Sequence, residues 1–370
     1  WNNWVMRRRR FLSTGATAVA AGLAGCSTST DDPAATTTGS AGTEADSLTV
    51  ATYSTFVDAP SDSPGQWIQQ EFEERYDVDF EWAVPERPIN HYIEQHNAGE
   101  AVDAELYLGI KPQELVRVDR ATDGELFQSI DRDALEHVGD VGERFYFDPD
   151  ERTIPTYANY VSLVYDGRTL GDPGTFDALT ADSYADTLAV PNPAQDNTGL
   201  YFLLWTVNQF GEEGDYTYLD YWRDLLDNGA QVVGSWGAMY SQFTEGEVPM
   251  VVSYSNDRVY AKRSDSDLEK HRIGFPNGQG YTNLNAIARF ADGTNDDLAG
   301  RFVDFVLSPE VQSKIAELNV TGPVNTQATP PDVYREFARE PEEGVFLDYD
   351  RLDGNVDRWQ REVERELVES

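Results

Sequence analysis

The chain has 370 residues, with 28 Lys+Arg against 66 Asp+Glu and a formal net charge of −38. That balance argues against a binder of nucleic-acid phosphates, which needs a basic surface. A content of 40% hydrophobic and 12% aromatic residues argues against a disordered acidic chain.

The acid is spread along the sequence, as on a hydrated surface of haloarchaeal type suited to very high salt, where charge repulsion is screened within a few Å. The first feature is an export address. "MRRRRFLSTGATAVAAGLAGC", residues 6–26, opens with a positive run containing a twin-arginine pattern, Arg8-Arg9-Arg10-Phe11-Leu12. A short apolar stretch follows, far below the ~20 residues that span a bilayer. Leu23-Ala24-Gly25-Cys26 then looks like a lipobox, and Cys26 is the single cysteine. The expectation is a twin-arginine signal peptide over 1–26, with the start at Met6 and a lipid on Cys26. Residues 27–47 lack large apolar side chains and read as a flexible tether. Together these features predict a lipid-anchored domain on the extracytoplasmic face of the membrane.

In the body, "LTVATYS" (48–54) predicts a strand. "GQWIQQEFEERYD" (65–77) predicts a helix with Ile68, Phe72 and Tyr76 on one stripe, and "VDFEWAV" (78–84) a second strand. "INHYIEQHNAG" (89–99) reads as a helix stopped by Gly99, and "AELYLGI" (104–110) as a third strand. This alternation implies a parallel sheet with helices on its faces. "TIPTYANYVSLVYD" (153–166) is a long strand, and "TFDALTADSYADTLAVPNP" (175–193) gives a helix and a strand. "TGLYFLLWTVNQFG" (198–211) is a strongly apolar helix and "YTYLDYWRDLLDNG" (216–229) an amphipathic one. "VPMVVSYS" (248–255) and "YTNLNAIARF" (281–290) are strands. "LAGRFVDFVLSPEVQSKIAEL" (298–318) reads as two helices parted near Ser308-Pro309, and "NVDRWQREVEREL" (355–367) as a terminal helix with a Trp face.

Three stretches carry a resemblance: "TLAVPNPAQDNTGLYFLLW", "SWGAMYSQFTEGEVPMVVSYSNDRVY" and "FVDFVLSPEVQSKIAELNVTGPVN". In that order they resemble the solute-binding proteins of ABC importers, above all the thiamine-binding branch of the group that also holds the ferric-iron binders. The likeness runs from Leu48 to the helix of Trp359. It implies a two-lobed α/β periplasmic-binding-protein fold, type II-like, each lobe a mostly parallel sheet flanked by helices. Lobe 1 would span 48–157 and lobe 2 158–283, with 284–370 returning to lobe 1 and ending in C-terminal helices. Crossing strands near 154–165 and 281–289 would form the hinge. The implied function is that of a monomeric receptor, without cofactor, that closes on thiamine or a thiamine phosphate. It would deliver that ligand to a membrane permease and its ATPase.

The resemblance also implies ligand contacts. A family Trp after a short strand matches Trp236, here flanked by Gly234 and Gly237 as in a loop. Two family Tyr around the next strand match Tyr254 and Tyr260, and Tyr53 matches an aromatic contact from the first lobe. A Trp or Tyr face attracts a cation such as thiazolium by ~0.5–2 kcal/mol. Asp196, Asn197 and Thr198 precede the apolar helix, whose free N–H groups can hold a hydroxyl or phosphate. On the residues alone, Tyr254 also fits plain core and Tyr53 hinge packing.

Departures from the pattern matter. Arg87 stands where the family usually offers an acidic residue, and Lys111 where it usually has Asp. Two expected Trp residues are missing, although Trp67 lies near one of those places. Arg87 and Lys111 favour a phosphate or carboxylate over a bare cation, so Arg87 joins the candidate site and a small organic anion or phosphonate is an alternative ligand. Ferric iron is another, although Tyr254 and Tyr260 are six apart and no His lies near Tyr53. A secreted enzyme has little support: there is no GxSxG elbow, P-loop or dinucleotide fingerprint. His91 and His96 are five apart, not on the i,i+4 face of a zinc helix.

Overall fold

The computed structural model describes residues 47–59 and 63–369. The signal segment, Cys26 and nearly all of the predicted tether lie outside the described residues. The described chain builds one mixed sheet flanked by helices. At one end Ser47–Ala51 lies between Asp79–Ala83 and Leu106–Ile110, all three parallel. Two long strands follow in the sheet, Gln279–Phe290 and Thr153–Tyr165, antiparallel to one another. Beyond them Met250–Tyr254, Leu188–Pro191 and Gln231–Val233 run parallel to each other. The two ends are alike: each is a short parallel set whose strands are joined through helices, as alternating strand and helix patterns predict.

The long strands are shared by two hydrophobic clusters. Ile154, Tyr157, Leu284 and Ile287 are buried with Leu48, Leu106 and Phe302. Val161, Leu163 and Tyr281 are buried instead with Phe202, Trp205 and Trp222. The change-over falls at Asn159 and Asn283, which lie opposite each other in register. The helices Asp296–Leu307 and Pro309–Leu318 pack into the first cluster. Pro309, lacking an N–H, starts the second of them just after Ser308 caps the end of the first. Trp359 and Val363 of the last helix, Val356–Glu369, belong to the second cluster. There the Tyr218 hydroxyl donates to Glu362, and Arg223 pairs with Glu366 at 2.7 Å.

The helix Asn197–Phe210 is apolar because it is buried from Thr198 to Val207. Its start lies so close to the strand Leu188–Pro191 that a Cβ at Gly199 would sit 2.1 Å from the Pro191 carbonyl oxygen. Gly199→Ala must therefore push helix and strand apart, a form of overpacking that costs ~1–3 kcal/mol. Gly300, inside the helix Asp296–Leu307, has open space where a Cβ would go. Gly300→Ala is expected to stabilise the fold by ~0.5–1 kcal/mol. Chemical denaturation of both variants in molar KCl checks the contrast in sign.

Candidate functional site

Between the two ends of the sheet, over one face of the crossing strands, lies a cavity of about 1250 Å³. Its floor includes Asn159, Asn283 and Asn285. The Asn283 amide donates to Asn159 at 2.9 Å and the Asn285 amide to Asn283 at 3.5 Å. A register shift between Asn285 and Ala286 marks a β-bulge at this point of the strand. Tyr53 and Arg87 border the cavity from the first part of the chain. Asp196, Asn197, Thr198, Trp236, Tyr254 and Tyr260 border it from the second. The structure thus brings all eight predicted positions to one cavity.

Their local settings differ from the sequence picture in two respects. Trp236 does not lie in a loop; it is the first residue of the helix Trp236–Glu245. Ser235 caps that helix, its hydroxyl accepting from the Ala238 N–H at 3.3 Å. Asp196 accepts the Trp236 N–H at 2.8 Å with one carboxylate oxygen and the Thr198 N–H at 2.8 Å with the other. One carboxylate therefore joins the starts of two helices, where a negative charge is favoured by both helix dipoles. The Trp236 indole N–H donates to the Ser253 hydroxyl at 3.0 Å. Its ring stacks on Tyr240, with centroids 4.8 Å apart and planes 18° from parallel. Tyr240 follows four residues later on the same helix face. The Tyr240 hydroxyl donates to Asp257, whose other oxygen lies 2.7 Å from His271 Nδ1.

Tyr254 is half-buried, and its hydroxyl meets the Thr198 hydroxyl at 2.9 Å at the cavity wall. Tyr260 is exposed on the helix Asp257–Arg263, and its hydroxyl donates to the Asn319 carbonyl at 3.3 Å. The next residue, Val320, takes φ of 52°, a conformation that a β-branched side chain adopts only when held. The Asn256 amide holds it by donating to the Val320 carbonyl. On the other side, the Tyr53 and Tyr157 hydroxyls are 2.8 Å apart. The Tyr53 ring rests on Gly109, where a Cβ would come within 2.7 Å of it.

The second difference concerns charge. Arg87 is paired with Glu94 at 3.1 Å, and its side chain is 66% exposed. Lys111 is paired with Glu114 at 3.3 Å and lies 5.6 Å from the Tyr53 ring centre. Arg87 and Lys111, which on their own would favour an anion, each have a carboxylate partner and still border the cavity. Glu86, Glu114, Asp196 and Asp257 border the cavity against Arg87, Lys111 and Arg117. Burial pushes the Tyr53 and Tyr254 phenols up to about 12, and raises Tyr157 and Tyr240 as well. All four act as neutral hydroxyls at ordinary pH. Among the described residues, one His and carboxylate group with spacing for a metal, Glu136, His137 and Asp304, stands apart from the cavity lining.

The chain belongs to the bacterial extracellular solute-binding protein family, whose sequence profile matches residues 67–341. It is 24% identical over 303 residues to the thiamine-binding periplasmic protein of Brucella melitensis, a match covering 82% of this chain and 86% of that one. The structure of a periplasmic thiamin binding protein superposes with a TM-score of 0.69 at 22% identity, covering 87% of this chain and 96% of that one. The apo ferric ion-binding protein A of Pasteurella haemolytica superposes with a TM-score of 0.69 at 14% identity, covering 88% and 99%. The fold is thus the two-lobed α/β periplasmic-binding-protein fold, and the chain is a solute-binding protein of an ABC transporter rather than an enzyme.

Sequence reasoning missed Tyr240, Asp257, His271 and the three asparagines. Tyr240 was legible as i+4 to Trp236, once that stretch is read as helix. Asn283 and Asn285 show as polar residues two apart in the strand, which places them on one face. The contact of Asp257 with His271 leaves no local signal.

The shifted phenols make a pH prediction. The folded protein holds the Tyr53 and Tyr254 protons more tightly than the unfolded chain, whose phenols ionise near ~10. Their contribution to stability is complete below that pH and is lost as pH rises through about 12. Unfolding midpoints should fall steeply over this alkaline window, and less steeply in a variant carrying both Tyr53→Phe and Tyr254→Phe. Equal slopes would contradict the assignment.

Proposed function

We propose that this protein captures thiamine or a thiamine phosphate between its two lobes and passes it to a membrane permease and its ATPase. The observation that carries this reading is the aromatic wall. Trp236 stacks on Tyr240, with Tyr254 close by and Tyr53 bordering the same cavity from the other lobe. A stacked indole and phenol offer a flat, electron-rich surface to a planar cation, at ~0.5–2 kcal/mol per contact. The asparagine floor and the hydroxyls of Thr198 and Tyr254 offer neutral donors and acceptors for a polar heterocycle edge or a hydroxyl. The cavity is ample for a two-ring ligand and its phosphate ester. In this reading a lipid on Cys26 keeps a monomeric receptor beside its permease.

Ferric iron is the rival ligand within the fold, and the tyrosines of the cavity are its attraction. Iron would require phenolates, and burial opposes that ionisation at Tyr53 and Tyr254. Thiamine should therefore raise the unfolding temperature in molar KCl, while Fe(III) should give no phenolate charge-transfer colour.

Trp236→Ala tests the wall. Loss of stacking at ~1–2 kcal/mol should weaken thiamine binding about five- to thirtyfold. Stability should fall by less than the ~3–5 kcal/mol that truncating a core Trp costs, because the Trp236 ring is only partly buried. Calorimetric titration and denaturation of the same variant measure both quantities. A large stability loss with unchanged affinity would make Trp236 a packing residue.

A further inference from the structure

We infer that Asp257 is a specificity-determining carboxylate, whose charge behind the aromatic wall selects a cationic planar ligand over a neutral one of the same shape. The inference rests on the thiamine-type reading above. It adds a residue to which neither the family resemblance nor the comparisons assign a role.

Asp257 borders the cavity yet is 5% exposed, and it has two side-chain partners. One oxygen accepts the Tyr240 hydroxyl, and the other lies 2.7 Å from Nδ1 of the buried His271. The His271 ring is held edge-on by Phe243, with centroids 5.6 Å apart. The carboxylate is thus fixed at the hydroxyl edge of the ring on which Trp236 stacks. A phenol that donates to a carboxylate carries more electron density in its ring, which strengthens its attraction for a cation. The neighbouring cation, Arg258, hydrogen-bonds the carbonyl oxygens of Leu268 and His271, at 2.9 and 3.0 Å, and reaches Asp257 only through its longer-range charge.

The distribution of charge around the cavity points the same way. The three basic side chains on it, Arg87, Lys111 and Arg117, all come from the first lobe. On the second lobe the bordering charged groups are Asp196 and Asp257. Asp196 is committed to the N–H groups of Thr198 and Trp236 at two helix starts. That leaves Asp257 as the carboxylate tied directly to the aromatic wall. Arg87, which stands where an acidic residue would face the ligand from the first lobe, is turned to Glu94. The first lobe also brings Glu86 and Glu114 to the cavity, beside its three cations and with Glu114 paired to Lys111, so the second lobe is the side whose bordering charge is wholly negative.

The test compares thiamine with its neutral thiophene isostere, deazathiamine, by calorimetric titration in molar KCl. The wild-type protein should prefer thiamine by about tenfold or more, and Asp257→Asn should reduce that ratio to within about threefold. Tyr240→Phe removes the hydrogen bond but keeps the carboxylate, and should retain most of the preference even as both affinities fall. Equal wild-type affinity for the two ligands would overturn the inference without any variant. An undiminished ratio in Asp257→Asn would overturn it while leaving the thiamine reading intact. Binding of neither compound by the wild-type protein would overturn both.

Discussion

The antiparallel pairing of Thr153–Tyr165 with Gln279–Phe290 is the constraint on which the rest of the structure depends. These strands carry the chain across between two separate cores, pairing with each other over 153–161 and 281–288 and with neighbouring strands beyond. Each core makes its half rigid, because close-packed interiors do not deform gradually. The cavity exists because apolar cover lapses where one core gives way to the other. At that place the strand faces turn polar, with Asn159 opposite Asn283 and Asn285 beside it. In the proposed reading, a floor of amides on shared strands contacts the ligand at the place where a few residues absorb a change of angle between the halves.

Electrostatics act at short range in this protein. The net charge is −38, and in molar salt, the medium proposed for such a chain, the screening length is only ~3 Å. Long-range steering is weak under such conditions, and selectivity must come from groups in contact with the ligand. The site is built accordingly. Arg87 and Lys111 are held by Glu94 and Glu114, Asp196 by two helix starts, and Asp257 by Tyr240 and His271. What the cavity presents is largely rings, hydroxyls and amides already fixed by hydrogen bonds, so little side-chain entropy is lost when a planar ligand enters.

Much of this was legible in the sequence, and for identifiable reasons. A strongly apolar run located the helix that Asp196 caps, and Ser308-Pro309 marked the break between two later helices. Ordered resemblance along the chain brought residues as distant as Tyr53 and Tyr260 to one cavity. The setting of Trp236 was misread because Gly234 and Gly237 suggest a loop. The helix is fixed by Ser235 next to it and by Asp196 forty residues away. Arg87 and Lys111 also fitted partners of the abundant carboxylates, and each does pair with one. Lys111 with Glu114 is an i,i+3 pair that helix spacing could have shown. The contact between Asp257 and His271 depends on how a helix and a later strand pack, and no spacing rule exposes it.

The account stands on a cleft that closes about the shared strands when thiamine is bound. Small-angle X-ray scattering in molar KCl, with and without saturating thiamine, tests that directly. The radius of gyration should decrease on binding, and inorganic phosphate at the same concentration should leave it unchanged. A radius unaffected by thiamine at concentrations where calorimetry shows full occupancy would contradict the account.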